Sequence, residues 1–312
     1  MTSLREETRE RLSPEVFELP VDKMREGYYA DAYFNHARAT LLQDGRHPRV
    51  VMQVFQRKDA YVGGMALANG VLVHGPKSWA CAIRTEDGQL KVAAGRKRLR
   101  ASKVESPLLR GPVRLLDAMA IIPEIKRALP EARLPFQRPA VLTAMVGSAT
   151  VVRVLRGSSS IGPAAQELVS GLLSVAPAAL ALRGSDVAAY HGAEHISIGS
   201  YEQGKRATKE HKRCGSHLIG PLLATTAIGN TLAARAPVHL RKSARLGAQL
   251  MALAASTEIF GWMVRNPENR LARALAKPGH ELQHRLATAE PSPEQIEVAE
   301  AALAACLELE RE

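Results

Sequence analysis

The spacing of apolar residues divides the chain into a short front part, a strand-rich middle part and a long helical part. Over Lys23–Leu42 the spacing is helical, and the Asp44-Gly45 turn ends this predicted helix. The run Val50–Phe55 is almost continuously apolar and β-branched, which predicts a strand buried on both faces. From Tyr61 to Val104 the apolar runs are short and alternating, so they are predicted to form strands, with a hairpin at Asp87-Gly88.

The remainder of the chain has a helical pattern. A first helix is predicted over Pro112–Leu129, and the proline-rich stretch Ala128–Pro139 separates it from later helices. An amphipathic closing helix is predicted over Pro291–Glu312. Four apolar runs lie between them, at 140–152, 164–182, 216–234 and 246–264. These elements predict an α+β fold in four segments: a polar lead at 1–13, a small α/β segment at 14–60, a β-rich segment at 61–106 and a helical domain at 107–312.

The apolar runs raise the question of a membrane. Only Ser216–Ala234 reaches 19 residues without a formal charge, and Pro221 and Asn230 interrupt it. If the runs formed two membrane hairpins, the loops near 153–163 and 235–245 would be basic, as would the loops on the opposite side. Because this conflicts with the positive-inside rule, we expect buried helices in a soluble cytoplasmic protein, with an inner-membrane location as the alternative.

Composition and charge narrow the class of protein. Hydrophobic residues make up 46% of the chain and charged residues 23%, which excludes a disordered or fibrous protein. The three cysteines are too few for a disulfide framework, and the charged N-terminal residues contain no secretory signal. The net charge of +11 favours anionic partners. The basic stretch 91–110 contains no aromatic residue, so we expect a solvated loop there and not a nucleic-acid site.

The residues that carry chemistry concentrate in one stretch, Tyr190–Gly215. His191, Glu194 and His195 form an H-x-x-E-H pattern, and two imidazoles four positions apart on a helix can bind one metal ion. Glu194 is then the expected general base. Gly192 weakens the helix prediction, and a well-supported loop would serve equally. The alternative is a polar hinge between helices whose histidines are hydrogen-bonded.

Three further ligand-type residues follow in the same stretch. Glu202 lies close to three helical turns after His191, and His211 and Cys214 come soon after it. Among transition metals, Zn²⁺ best suits this mixture of imidazole, carboxylate and thiol ligands. If all three residues ligate, no coordination position stays open, and the site is structural instead of catalytic. Basic neighbours, Arg213 among them, are expected to lower the pKa of Cys214.

Six stretches, in order, resemble the YqhQ-like bacterial family, whose uncharacterised members are described as predicted metal-dependent enzymes, many of them membrane-embedded. The stretches are Gly63–Pro76, Ser106–Met119, Tyr190–His195, Tyr201–Glu202, His211–Gly215 and Pro278–Leu303. The resemblance implies one site made of His191, Glu194, His195, Glu202, His211 and Cys214. It brings no reaction or substrate with it. The chain departs from the family pattern at Met65, Asn69 and Ile196, which puts any acid–base or ligand role of those positions in doubt.

The front of the chain resembles a different family. Glu18–Lys58 is similar to the N-terminal domain of nicotinate and quinolinate phosphoribosyltransferases, which closes over a pyridine carboxylate. The resemblance implies that Tyr28, Tyr33 and Arg38 could hold a carboxylate. The alternative is an ordinary amphipathic helix that packs on the strand. The catalytic barrel of that family has no counterpart here, so its activity is not expected.

These observations together favour a metal-dependent enzyme, hydrolytic in type, that acts on an anionic small-molecule or nucleotide-type substrate. Arg213 is a further candidate for contacting that substrate. The alternative is a non-catalytic protein, either a scaffold stabilised by its metal or a membrane-associated protein. We expect a small anionic partner and no nucleic acid, and a homo-oligomer stays open.

Overall fold

The front of the chain forms a small antiparallel sheet. The computed structural model describes residues 15–17, 37–44, 47–54, 62–98, 101–158, 160–182 and 185–311. Strands β1 (Glu15–Phe17), β2 (Ala37–Asp44) and β3 (His47–Val54) pair in the order β1-β3-β2. The polar lead predicted at 1–13 lies outside the described residues.

The helix predicted over Lys23–Leu42 is wrong in its last part, because residues 37–42 belong to strand β2. The earlier part, 23–36, lies outside the described residues. A short apolar run fits both the helical and the strand period. Here the apolar strand β3 supplies a pairing partner to every residue of β2, from Ala37 opposite Val54 onwards. The strand predicted at Val50–Phe55 is confirmed as far as Val54, and it begins earlier than predicted, at His47.

A second antiparallel sheet follows as a four-stranded meander. Its strands are β4 (Gly63–Ala66), β5 (Gly70–His74), β6 (Ser78–Arg84) and β7 (Leu90–Arg96), and they pair in chain order. The hairpin predicted between β6 and β7 is confirmed. Gly88 has a φ of 81° in this turn, a left-handed conformation that glycine adopts without a steric penalty.

Helices cover both faces of this second sheet. Helix α1 (Pro107–Ala128), which begins before the predicted Pro112, packs Ile121 and Ile125 against Leu72 and neighbouring residues of one face. Helices α4 (Asp186–Gln203) and α8 (Pro293–Arg311) pack against the other face. The side chains of β5 and β6 on that second face are small or β-branched: Val71, Val73, Ala80 and Ala82. The protein is therefore α+β, as predicted, and its main core lies between the sheet and these helices.

The remaining helices form a layer of two hairpins beside this core. Helices α2 (Pro139–Gly157) and α3 (Pro163–Leu182) pair with each other, as do α5 (Ile219–Ala234) and α6 (Arg241–Arg265). Helix α7 (Arg270–Leu282) leads into a π-helical turn at Gln283–Ala287. All four apolar runs are thus helical, as predicted.

The prediction that these runs are buried is wrong for α2, where Val141 is the one residue of the helix that is buried. Side chains that are large, apolar and more than half exposed on α2, α3, α5 and α6 are Val146, Val154, Leu172, Ile228, Leu232, Leu246, Leu250 and Met251. In the described part of the chain, two helical segments are long and apolar enough to cross a membrane: α2 itself and Ala165–Leu182 within α3. The spacing of apolar residues therefore predicts these helices correctly but does not predict what their exposed apolar side chains contact.

Candidate metal centre

The H-x-x-E-H pattern lies on helix α4, which is buried over most of its length. Gly192, which weakened the helix prediction, and Gly199 both lie where the helix packs closely on its neighbours. A Cβ atom on Gly192 would lie 2.2 Å from the carbonyl oxygen of Ala289, and one on Gly199 would lie 2.7 Å from the Cβ of Ala207. The helix ends at Gly204, whose φ of 68° makes it a left-handed C-cap. The three residues of the H-x-x-E-H pattern therefore lie on a closely packed helix and not on a loop.

The two imidazoles of the pattern are held in the same way. Nδ1 of His191 lies 2.8 Å from the carbonyl oxygen of Ala287, and Nδ1 of His195 lies 2.6 Å from that of Lys209. A carbonyl oxygen can only accept, so each Nδ1 donates a hydrogen and each Nε2 is left with a free lone pair. Within the described chain, Nε2 of His195 is buried and has no hydrogen-bond partner. This arrangement is typical of histidines that bind a metal through Nε2.

Cys214 completes a group of three ligand-type side chains. Its Sγ lies 3.5 Å from Nε2 of His191, and the ligand atoms of His191, His195 and Cys214 all lie within 4.8 Å of one another. Zinc bonds of about 2.0–2.3 Å in a tetrahedral site separate the ligand atoms by roughly 3.3–3.8 Å. The group is therefore close to the size that a zinc ion requires.

Burial governs the protonation of this group. It lowers the pKa of His195 to about 2, with a smaller contribution from His191, so the imidazole is neutral and can act as a ligand. Burial also raises the pKa of the Cys214 thiol, which outweighs the opposing hydrogen bonds from Ser216. The expectation that basic neighbours lower this pKa is therefore wrong, because desolvation of the thiolate is the larger effect.

Glu194 lies at the edge of the group. Its Oε2 is 3.9 Å from Nε2 of His191, and burial raises the pKa of its carboxyl to about 7. The carboxyl rests against strand β4, where a Cβ atom on Gly64 would lie 2.6 Å from Oε1 of Glu194. The glycine-rich strand thus leaves room for this carboxylate beside the two histidines.

Two residues predicted as ligands lie outside the group of three. Nε2 of His211 is 3.1 Å from Oε2 of Glu202, and the other carboxylate oxygen of Glu202 is 2.8 Å from the guanidinium of Arg213. The imidazole ring of His211 is next to that of His195, and the two ring centroids are 5.6 Å apart. Glu202, His211 and Arg213 therefore form an adjoining polar cluster in which they bind one another.

The remaining predicted positions take no part in this site. Tyr28 and Tyr33 lie outside the described residues, and Arg38 lies in β2, of which the structure describes the backbone alone. Asn69, one of the departures from the family pattern, is buried. Its amide donates to the carbonyl oxygens of Arg84 and Glu131 and accepts from the backbone of Arg133, so it holds a loop together.

Sequence reasoning missed the groups that orient the ligands. Two of them are the backbone carbonyls of Lys209 and Ala287, which carry no sequence signal because every residue has one. A third is Gln283, which is fully buried and binds the segment that carries Cys214. A glutamine inside a polar helical stretch resembles a solvated position, so nothing in the pattern distinguished it.

Comparison with known proteins finds one similarity, to a family model that covers the site. No curated protein and no solved structure matches the chain. Helices α4 to α7, most of α8, and the residues His191, Glu194, His195 and Cys214 fall in one matched region. Residues 182–309 match the family described as "Protein of unknown function (DUF1385)".

Proposed function

We propose that the chain is a metal-dependent enzyme of hydrolytic type whose ion is held by His191, His195 and Cys214. One observation carries the proposal. Both imidazoles have Nδ1 tied to a backbone carbonyl, and both Nε2 atoms converge with Sγ of Cys214. The YqhQ-like resemblance, with its six stretches in order, supports the same site.

The ligand chemistry favours zinc. Two imidazole nitrogens and one thiolate form a borderline-soft set, and three protein ligands leave a fourth position open, as in catalytic zinc sites. An ion bound there would supply Lewis acidity toward a substrate carbonyl or phosphoryl group. Ligation by Cys214 requires loss of its proton, so binding is expected to strengthen as the pH rises.

Glu194 is the residue that would move the proton. It directly precedes His195 and lies one helical turn after His191 on the same buried helix, and its carboxylate reaches within 3.9 Å of Nε2 of His191. A carboxylate in this position can accept a proton from an attacking water molecule and deliver it to the leaving group. Burial of the carboxyl excludes bulk water from this transfer.

The loop between α4 and α5 favours an anionic substrate. Lys205, Arg206 and Lys212 are exposed on it, and the loop itself contains one acid, Glu210. Two further cations of the loop form ion pairs with acids outside it, Lys209 with Glu290 and Arg213 with Glu202. This loop carries Cys214, so the positive charge lies next to the proposed ion. A small phosphorylated or carboxylated molecule, including a nucleotide-type one, suits this charge.

The test begins with elemental analysis of purified protein after zinc loading and desalting. Wild type is expected to hold near-stoichiometric zinc, and His191→Ala and His195→Ala to hold none while remaining folded. His239→Ala, at an exposed histidine far along the chain, is the matched control. Glu194→Gln should keep the zinc and lose hydrolysis of any phosphate or carboxylate ester that the wild type cleaves. Wild type that takes up no metal contradicts the proposal. Zinc whose loss unfolds the chain, with no hydrolysis, favours a metal-stabilised scaffold.

A second candidate function is membrane association, which the exposed helical layer favours. Helix α2, at 19 residues, is about 28 Å long, close to the hydrocarbon thickness of a bilayer. Arg156 of α2 and Asn230 of α5 both donate to Glu167 of α3, so the hairpin tips lie at one end of the layer. Exposed cations near these tips are Arg153, Arg235, Arg241 and Lys242. An apolar surface with basic ends suits a bilayer that contains acidic lipids.

Vesicle flotation tests this second candidate. Wild type is expected to float with vesicles that contain phosphatidylglycerol, and the double variant Val146→Asn/Val154→Asn to float less. Val92→Asn, at a half-exposed valine of strand β7, is the control. A wild type that does not float with these vesicles contradicts membrane association, and a stable dimer in their absence would then point to a second copy as the cover.

A further inference from the structure

We propose that Gln283 is a positioning residue that keeps the Cys214 loop in register with the two histidines of helix α4. The inference rests on the proposed metal centre and names a residue that acts on it without touching the ion. Gln283 lies 69 positions after Cys214 in the sequence.

The Gln283 side chain is fully buried and binds the loop on both sides of Cys214. Its Oε1 accepts the backbone N–H of His211 at 2.9 Å, before the cysteine. Its Nε2 donates to the hydroxyl of Ser216 at 2.6 Å, after the cysteine. A loop that is fixed on either side of one residue has little freedom to move that residue, so this amide sets where Sγ of Cys214 lies.

The same turn also orients a histidine. Residues 283–287 form a π-helical turn, a geometry that often occurs at functional sites. The carbonyl of Gln283 closes this turn by accepting the N–H and the hydroxyl of Thr288. At its other end the carbonyl of Ala287 accepts from Nδ1 of His191. One turn therefore holds Cys214 through a side chain and His191 through its backbone.

The loop has a second attachment that does not depend on Gln283. A Cβ atom on Gly279 of helix α7 would lie 2.5 Å from the carbonyl oxygen of Ser216, so α7 and the turn after Cys214 pack backbone to backbone. Replacing the Gln283 amide removes its hydrogen bonds to His211, Ser216 and His217 but leaves this packing. We therefore expect the variant to fold, with the Cys214 side of the site loosened.

The experiment compares Gln283→Met with Gln295→Met in the full-length chain. Methionine has nearly the volume of glutamine but cannot accept or donate these bonds. Gln295 is the matched control, because it accepts the Ser292 N–H at the start of α8, away from the site. The probe is Co²⁺ alone, whose thiolate charge-transfer band reports ligation by Cys214 and whose titration gives the dissociation constant.

Gln283→Met is expected to weaken Co²⁺ binding by about 10- to 100-fold, the usual effect of removing an outer partner of a ligand, and to weaken the thiolate band. Combining it with Cys214→Ser should add little to the loss caused by Cys214→Ser alone, because both act through the same ligand. Alkylation of metal-free protein supplies a readout without Co²⁺. Cys81 and Cys306 are fully buried, so Cys214 reports the label, and it should react roughly tenfold faster in Gln283→Met.

Three outcomes overturn the inference and remain distinguishable. In the first, wild type binds Co²⁺, and Gln283→Met has the same dissociation constant, thiolate band and alkylation rate. Gln283 then has no positioning role, and the proposed metal centre is unaffected. If Gln295→Met loses Co²⁺ to the same degree, the effect is general destabilisation. If wild type binds no Co²⁺, the proposed function itself fails, and the role of Gln283 toward a metal fails with it.

Discussion

Nδ1 of His191 lies 2.8 Å from the carbonyl oxygen of Ala287, a residue 96 positions later in the chain. This contact joins the buried helix α4 to the end of the π-helical turn before α8. Because the carbonyl accepts the Nδ1 hydrogen, Nε2 of His191 is left facing Sγ of Cys214. A long-range backbone contact thus decides which nitrogen of this histidine is available for chemistry.

Zinc is expected to stabilise the folded chain through Cys214. At a zinc concentration 100-fold above the dissociation constant, the gain in unfolding free energy is about 2.7 kcal/mol. Cys214→Ser should reduce this gain, and His239→Ala should leave it unchanged. Thermal unfolding with and without zinc, at pH 7.5 and pH 6, measures the effect. The gain should be smaller at pH 6, since the raised pKa of Cys214 opposes loss of its proton. Equal gains in wild type and Cys214→Ser would exclude the thiol as a ligand.

Gly64→Ala is expected to displace Glu194. The added Cβ would lie 2.6 Å from Oε1 of that carboxylate, so the side chain or the strand must shift, at a loss of about 1–3 kcal/mol in unfolding free energy. Gly147→Ala is the control, because no atom lies within 4 Å of its added Cβ, and it should stabilise helix α2 by about 0.5–1 kcal/mol. Urea unfolding monitored by circular dichroism measures both. A neutral Gly64→Ala would show that Glu194 does not depend on the glycine strand.

His74 should make the fold less stable as the pH falls from about 6.5 to 4. Burial, together with the neighbouring Lys97 ammonium, lowers the pKa of this histidine from 6.5 to about 4. In that range the unfolded chain binds a proton that the folded chain does not, so protons favour unfolding. His74→Gln removes this contribution to the unfolding free energy, which is on the order of 3 kcal/mol at pH 4. Melting temperatures of both proteins across pH 4–7 test it, and parallel curves would contradict it.

Glu300 has the opposite pH dependence. Burial, together with the nearby Glu297, raises the pKa of its carboxyl from 4.5 to about 8. Between these values the folded chain holds a proton that the unfolded chain has lost, so stability falls as the pH rises from 4.5 to 8. Glu300→Gln, which stays neutral, should be more stable than wild type at pH 8.5, by on the order of 4 kcal/mol, and similar at pH 4.5. A difference that does not change with pH would show that packing, not ionisation, is responsible.

Glu310 is expected to hold the end of helix α8 against the sheet. Its Oε1 accepts from the backbone N–H groups of Lys77 and Ser78 and from the Ser78 hydroxyl. Glu310→Ala leaves these buried donors without a partner, which costs about 2–3 kcal/mol. Glu310→Gln keeps an acceptor oxygen and should cost less, near 1 kcal/mol. Denaturant titration ranks the two variants, and equal losses would show that the carboxylate charge is what matters.

The strands of the second sheet and the helices of the four apolar runs follow from local sequence, because period and turn residues act within a few positions. Gly88 fixes the hairpin in this way, and the spacing of His191 and His195 places them on one face of a helix. Helix α7 and the π-helical turn after it were not predicted. At the front, Lys23–Leu42 shows the limit of the same reasoning. Its last residues fit either period, and pairing with β3 decides for a strand.

Tertiary structure alone decided which ligand-type residues meet. Six residues between His191 and Cys214 were predicted to form one site. In the fold, His211 contacts Glu202, whereas Cys214 lies beside His191 and His195. The choice depends on Gln283 and Ala287, which arrive from a distant turn and act through an amide and a carbonyl that sequence patterns do not mark. The apolar runs likewise predicted helices, but they did not predict what contacts the exposed apolar side chains of α2. The hydrophobic effect is non-directional, so it favours burial of a surface without specifying the partner.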